Sequence, residues 1–210
     1  MIREMTVLQI ASAEAPYNRP ALGVRAARLL GLAEAMGLLP TAAPIARLDR
    51  KAILGPVRHL LRQGIGRNAA LEFETADDPE RLAELLDRLY TELLASPAPQ
   101  TEADQLVDLL GLDLLARLAG ASPTSLRRYT TGERTTPDDV AARLHHLAVI
   151  ASHLAGGYND FGIRRWFLRP RPQLEGRSPA GALGSDWDPD GRDAQQVLRL
   201  AEALNSSPAT

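Results

Sequence analysis

Between Leu112 and Tyr129 the chain reads LDLLARLAGASPTSLRRY, and the polar side chains Thr124, Ser125, Arg127 and Arg128 cluster within five residues. Guanidinium groups donate paired hydrogen bonds to guanine edges or phosphate oxygens, and hydroxyls near a helix start reach groove atoms. That set of donors suits a DNA duplex. Arg127 and Arg128 are assigned to guanine or phosphate, and Thr124 and Ser125 to groove contacts. Arg134, a little further on, is assigned to a phosphate. Tyr129 is expected in the core.

Presenting those groups requires a second helix held against a first, and the spacing predicts one. A small residue at Ala116 lets two helices cross closely, and Gly120 permits the positive φ of a tight inter-helix turn. Ser122 can cap the next helix with Pro123 at its first position. Leu126 and Tyr129, three apart, supply its inward face. Two helices joined at glycine are common in all-α proteins. Here the cap placement and the following RYTTGERTTPDDV favour a helix-turn-helix of the phage-repressor kind, with α-helical neighbours and operator DNA as the ligand.

Whole-chain charge neither supports nor opposes this. The 210 residues carry a net charge of −2, but Leu112 to Arg134 holds four arginines against two acids, and 164–171 (RRWFLRPR) holds four arginines and no acid. Lys51 is the single lysine, which points to nucleotide composition. With no cysteine, disulfides and thiolate metal sites are excluded. No segment approaches the ~20 apolar residues of a membrane span, and no signal-peptide pattern opens the chain, so a cytoplasmic protein is expected.

A Pro/Ala-rich break at 96–100 divides the chain. In the first half MTVLQIA is a candidate strand. Ala21–Leu39 reads as a helix ended near Gly37 and Pro40, and another is expected over Asp49–Gln63. LEFET at 71–75 alternates weakly as a second candidate strand. Asp78-Pro79 starts a helix with Leu82, Leu85, Leu86, Leu89 and Leu93 at helical spacing. This half has 12 acidic and 12 basic residues, so its electrostatics names no partner. In the second half Thr101 can cap a helix that stops at Gly111. Thr136-Pro137-Asp138-Asp139 offers a cap, a proline at N1 and two carboxylates at the positive end of the dipole. That helix should run to about Ala155 on a stripe of Val140, Leu144, Leu147, Ala151 and Leu154. A short helix over Ile163–Leu168, a turn from Ser178-Pro179 and an amphipathic helix over Arg192–Leu204 close the chain. The last should turn Val197, Leu198, Ala201 and Leu204 inward.

The segment IRRWFLRPRPQLEGRSP, 163–179, reads either as a basic solvated loop anchored by Trp166 and Phe167 or as an extension of a phosphate-binding surface. Its order of Trp166, Pro170, Leu174, Gly176 and Arg177-Ser178-Pro179, placed behind a helix-turn-helix, resembles the C-terminal domain of Xre/MbcA/ParS-type antitoxins. The resemblance covers Asp104 to Leu204, about half the chain. It implies an antitoxin that neutralises a RES-domain toxin, an NAD⁺-consuming enzyme, and represses its own operon. It makes Arg164, Trp166, Arg169, Leu174, Arg177 and the closing helix the toxin-facing residues. Residues 1–100 and the acidic GALGSDWDPDGRD, 181–193, depart from the family pattern.

Three other motifs are weaker. Asp186, Asp188, Asp190 and Gly191 match the opening of a calcium loop, but the twelfth position is Val197 where a glutamate is needed, and a capping turn fits better. Gly64-Ile65-Gly66-Arg67-Asn68-Ala69 mimics a dinucleotide fingerprint but follows a helical segment. His145, His146 and His153 share a helix without a carboxylate to complete a metal set. No catalytic constellation, cofactor or metal site is expected.

The expectation is therefore a mainly α protein. It comprises a helical N-terminal region (1–98) of unassigned role, a helix-turn-helix domain (101–156) and a small helical toxin-binding domain (157–210). The partners are a cognate RES-domain toxin, operator DNA and a second copy in a homodimer, with no membrane. The alternatives are a transcriptional regulator without a toxin, or an interaction module on the same fold that no longer binds DNA.

Overall fold

Apolar residues three and four apart, cut by proline, glycine or a capping side chain, divide most of the chain into short helices. The computed structural model describes residues 8–39 and 44–206. Among these residues lie eleven α-helices and two short strands, so the protein is mainly α. They fall into two compact units, one within residues 6–34 and 38–97, the other within residues 35–37 and 98–210.

The first unit starts with β1 (Leu8–Ala13), which pairs in parallel with β2 (Ile45–Leu48). The register joins Ser12 to Arg47 and Ala13 to Leu48. A parallel pair needs a crossover, and α1 (Pro20–Ala35) lies within it. Residues 5–7 of the first candidate strand lie outside the described residues. The second candidate strand is corrected: LEFET belongs to α3 (Arg67–Phe73) and the turn after it, and the strand is IARL at 45–48. The helix wins because Ala69, Ala70 and Phe73 are buried on one face while Leu71 is 52 % exposed.

Helix α2 (Arg50–Arg62) is capped by Asp49, whose carboxylate accepts from the Ala52 amide at 2.8 Å. In α4 (Pro79–Leu94) Asp78 does the same for the Arg81 amide at 2.8 Å, and all five expected leucines are buried. Arg25 of α1 donates to Asp87 of α4 at 2.8 Å, and the Arg28 guanidinium lies 3.9 Å from the Tyr90 ring centroid.

The second unit runs through α5 (Pro99–Leu110), α6 (Leu112–Ala119), α7 (Pro123–Thr130) and α8 (Asp138–Ala155). It continues through α9 (Asp160–Leu168), a 3₁₀ turn (Pro172–Leu174), α10 (Pro179–Leu183) and α11 (Arg192–Ser206). Two expected caps are corrected. Thr101 lies inside α5, which starts at Pro99, and its hydroxyl donates back to the Ala98 carbonyl at 3.1 Å. Pro137 occupies the cap position of α8 with no side-chain cap, leaving Asp138 and Asp139 in the first turn to meet the helix dipole.

Helix α8 is the axis of this unit. It packs against α5, α6, α9 and α11, so burial spreads from the expected stripe to Arg143, His146, Ala148, Val149 and Ile150. Residues on either side of Gly156 thereby share one core, although the sequence suggested a domain division there. On α11, Val197 and Ala201 are buried as expected. Leu204 is 40 % exposed and Leu198 only half-buried, a correction that shifts the inward face toward Ala194.

Candidate functional site

The local sequence builds the α6–α7 corner directly. Gly120 sits at φ 67°, where a Cβ would collide with the Ser185 carbonyl oxygen and come within 2.7 Å of an Arg143 nitrogen. Ser122 caps α7, accepting from the Ser125 amide at 3.1 Å, with Pro123 in the first turn. Leu126 and Tyr129 are buried, as their spacing demanded.

Thr124, Arg127 and Arg128 are exposed and lie three and four residues apart, on one face of α7. Among the described residues the Arg127 side chain makes no hydrogen bond or ion pair. Arg128 lies 4.0 Å from Glu133, a weak exposed pair. Arg134 is exposed and folds beside this face. Its amide donates to the Arg128 carbonyl at 3.1 Å, and its guanidinium lies 5.8 Å from the Tyr129 ring centroid. Ser125 differs from expectation. It is half-buried, and the Ser122 hydroxyl donates to its own at 3.0 Å, so this side chain is engaged in the cap.

Behind the corner sits a clasp that sequence reasoning missed. Arg143, on α8, is 7 % exposed. It donates to the Trp187 carbonyl at 2.8 Å, to the Ala119 carbonyl at 3.3 Å and to the Asp186 carboxylate at 2.8 Å, and it pairs with Asp139 at 3.2 Å. The Trp187 indole N–H donates to the Leu118 carbonyl at 2.6 Å. Leu118 and Ala119 end α6, where carbonyls lack intrahelical partners, and two distant side chains satisfy them. An open groove beside this corner is lined by Asp113, Arg117, Asp139, Arg143 and Asp186. Nothing in the local sequence marks Arg143 as buried; its partners Asp186 and Trp187 lie more than 40 residues later.

The acidic run is therefore a structural turn. Asp186 serves Arg143, Trp187 is buried, and Asp188 accepts from the Asp190 amide at 2.9 Å. Among the described residues no group of three or more histidines and carboxylates is placed to hold a metal. The glycine motif at 64–66 follows α2, so the strand that a dinucleotide fold needs is absent from its place. The helix histidines have separate settings. His145 Nδ1 meets Glu102 Oε1 at 2.6 Å, and the fully buried Glu102 leaves Oε2 without a hydrogen bond. His146 packs edge-on to Trp187 at 5.3 Å, and burial holds its pKa below the ordinary value.

The C-terminal motif residues occupy different positions from those expected of a contact surface. Trp166 and Leu174 are 2 % and 1 % exposed and belong to the core, a correction to their assignment as toxin-facing. Arg171 stacks on Trp166 at 4.6 Å, and Phe167 meets its edge at 5.3 Å. Arg164 donates to the carbonyls of Leu109 and Asp108 and so caps the end of α5. Arg177 forms a bidentate pair with Asp193 at 2.7 and 3.1 Å, and that pairing holds the Asp193 carboxyl below its usual range. Of the five, Arg169 alone is exposed without a hydrogen bond or ion pair from its side chain among the described residues. What lies outward instead is Phe161, Arg165 and Leu168, four and three residues apart on α9, a face that the sequence reading did not single out.

Comparison with family models, with curated proteins and with solved structures finds no match to this chain. No helix among the described residues is long and apolar enough to cross a membrane.

Proposed function

We propose that this chain is an antitoxin. It reads operator DNA with α7 and binds a RES-type, NAD⁺-consuming toxin through the region from Asp160 to the closing helix. The observation that carries the first half is the face of α7. Thr124, Arg127 and Arg128 project together from a capped helix held by a glycine corner, with Arg134 alongside. In a homodimer two such helices would enter successive major grooves about 34 Å apart. The second half rests on the resemblance of the Trp166-to-Pro179 motif, whose apolar members fold into the core and so fix the backbone that carries their neighbours.

The experiment is gentle purification of the tagged full chain from its native host. A RES-type protein eluting in fixed stoichiometry supports the toxin half, and its absence removes it. Binding to the DNA upstream of the gene should weaken steeply with salt, log K falling by about 0.9 per neutralised phosphate against log salt. A flat salt response removes the DNA half.

A further inference from the structure

Helix α9 turns two faces in opposite senses. Ile163, Trp166 and Phe167 are buried in the core of the second unit. On the other side Phe161 is 66 % and Leu168 53 % exposed, with exposed Arg165 between them at four and three residues' spacing. Tyr158, 38 % exposed, adds a third large side chain. Its position is set by Gly162, where a Cβ would come within 2.9 Å of the tyrosine ring. The glycine leaves room for that ring against the helix. An exposed tyrosine, phenylalanine and leucine gathered within the eleven residues Tyr158–Leu168 are unusual for a free surface.

The charge from Arg164 to Arg171 has one sign. Arg165 and Arg169 are exposed without a hydrogen bond or ion pair from their side chains among the described residues, and Arg171 is half-buried against Trp166. Residues 164–171 contain no acid, and Asp160 at the start of α9 is the helix's one carboxylate. An occupant that covered Phe161 and Leu168 would therefore have to bring acceptors to its rim.

We propose that this outer face, Tyr158, Phe161, Arg165, Leu168 and Arg169, docks a protein surface consisting of an apolar socket rimmed by carboxylates. Resting on the reading above, the occupant is the RES-type toxin, and the buried motif residues Trp166 and Leu174 position the face without touching it. Aromatic and arginine side chains at the centre of an interface carry most of its affinity, which fits the composition of this face.

The test uses the full chain with the RES-type protein encoded beside it, measured by calorimetry and by rescue of growth. Phe161→Ser with Leu168→Ser should weaken binding at least about 30-fold, the loss expected on removing a hot spot. Arg165→Glu with Arg169→Glu should weaken it comparably. Circular dichroism and thermal melting should stay unchanged, since all four side chains are exposed. If the wild-type chain binds and both variants bind equally well, the face is wrong while the antitoxin reading stands. If the wild-type chain does not bind, both fall together. If sedimentation shows that Phe161→Ser turns a dimer into a monomer, the occupant is a second copy and the proposal is overturned.

Discussion

The indole N–H of Trp187 donates to the carbonyl of Leu118, 69 residues earlier in the chain, at 2.6 Å. That bond ties the turn before α11 to the end of α6, immediately ahead of the helix that presents Arg127 and Arg128. Arg143 completes the tie by donating to both Ala119 and Trp187 carbonyls. A partner bound to the C-terminal helices would thus act on the α6–α7 corner through a packed, hydrogen-bonded strut. Coupling of this kind has a physical carrier only while the strut holds.

Trp187→Phe should expose the importance of that bond. It keeps most of the buried volume but leaves the Leu118 carbonyl without its donor, at a cost of about 1–3 kcal/mol. Arg143→Met removes the donors to two carbonyls and should cost about 1.5–3 kcal/mol. Because the side chains share one network, the double variant should lose less than the sum. Trp166 and Trp187 are the chain's two tryptophans and both lie in the second unit, so urea unfolding followed by tryptophan fluorescence reads this unit alone. Strict additivity would show that the two contacts are independent.

Arg127→Ala with Arg128→Ala should abolish operator binding and leave the melting temperature unchanged, because both side chains are exposed and neither holds α7 to its neighbours. Thr124→Ala should weaken binding without changing the salt slope, since it removes no phosphate-neutralising charge. Fluorescence anisotropy across a salt series measures both effects. Retained affinity in the double-arginine variant would exclude α7 as the reading element.

Trp166 separates positioning from contact. Trp166→Ala should cost about 3–5 kcal/mol and unfold the second unit, abolishing every activity that the unit carries. Trp166→Phe should be tolerated far better, because the indole N–H makes no hydrogen bond that could be lost. Toxin binding should survive in Trp166→Phe wherever the helix signal survives. Loss of binding in a fully folded Trp166→Phe would restore the indole as a direct contact.

Three helix starts were legible from a local signal, while the equally local caps expected of Thr101 and Thr136 do not form. Asp78-Pro79, Ser122-Pro123 and Ser178-Pro179 each place a side-chain cap on the next turn, and each cap forms. The same locality explains the failures. LEFET carries an alternation that a strand and the end of a short helix both satisfy, and only the burial of Ala69 with Phe73 decides between them. Arg143 reads as a solvated helix residue until Asp186 and Trp187 are brought to it from 43 and 44 residues away. For the site, the α7 face could be read off because its members lie within five residues. The outer face of α9 could not, because the motif's Trp166 drew attention to the side of the helix that packs inward.

His146 makes the pH dependence specific. It is 8 % exposed, with Nε2 3.4 Å from the Ala194 carbonyl and its ring against Trp187. Burial is the main reason that its pKa lies below the ordinary 6.5; the Ala194 carbonyl and Asp190 oppose that shift, and His145 adds to it. The folded state thus prefers the neutral ring more strongly than the unfolded chain does. Its contribution is complete above the unfolded value and is lost as pH falls from there through the lowered folded value. The second unit should therefore melt at a lower temperature at about pH 5.5 than at about pH 7.5. His146→Gln keeps an amide donor near Ala194 and removes the titration, so its melting temperature should change less over the same range. An equal decline in both proteins would transfer the pH response to another group.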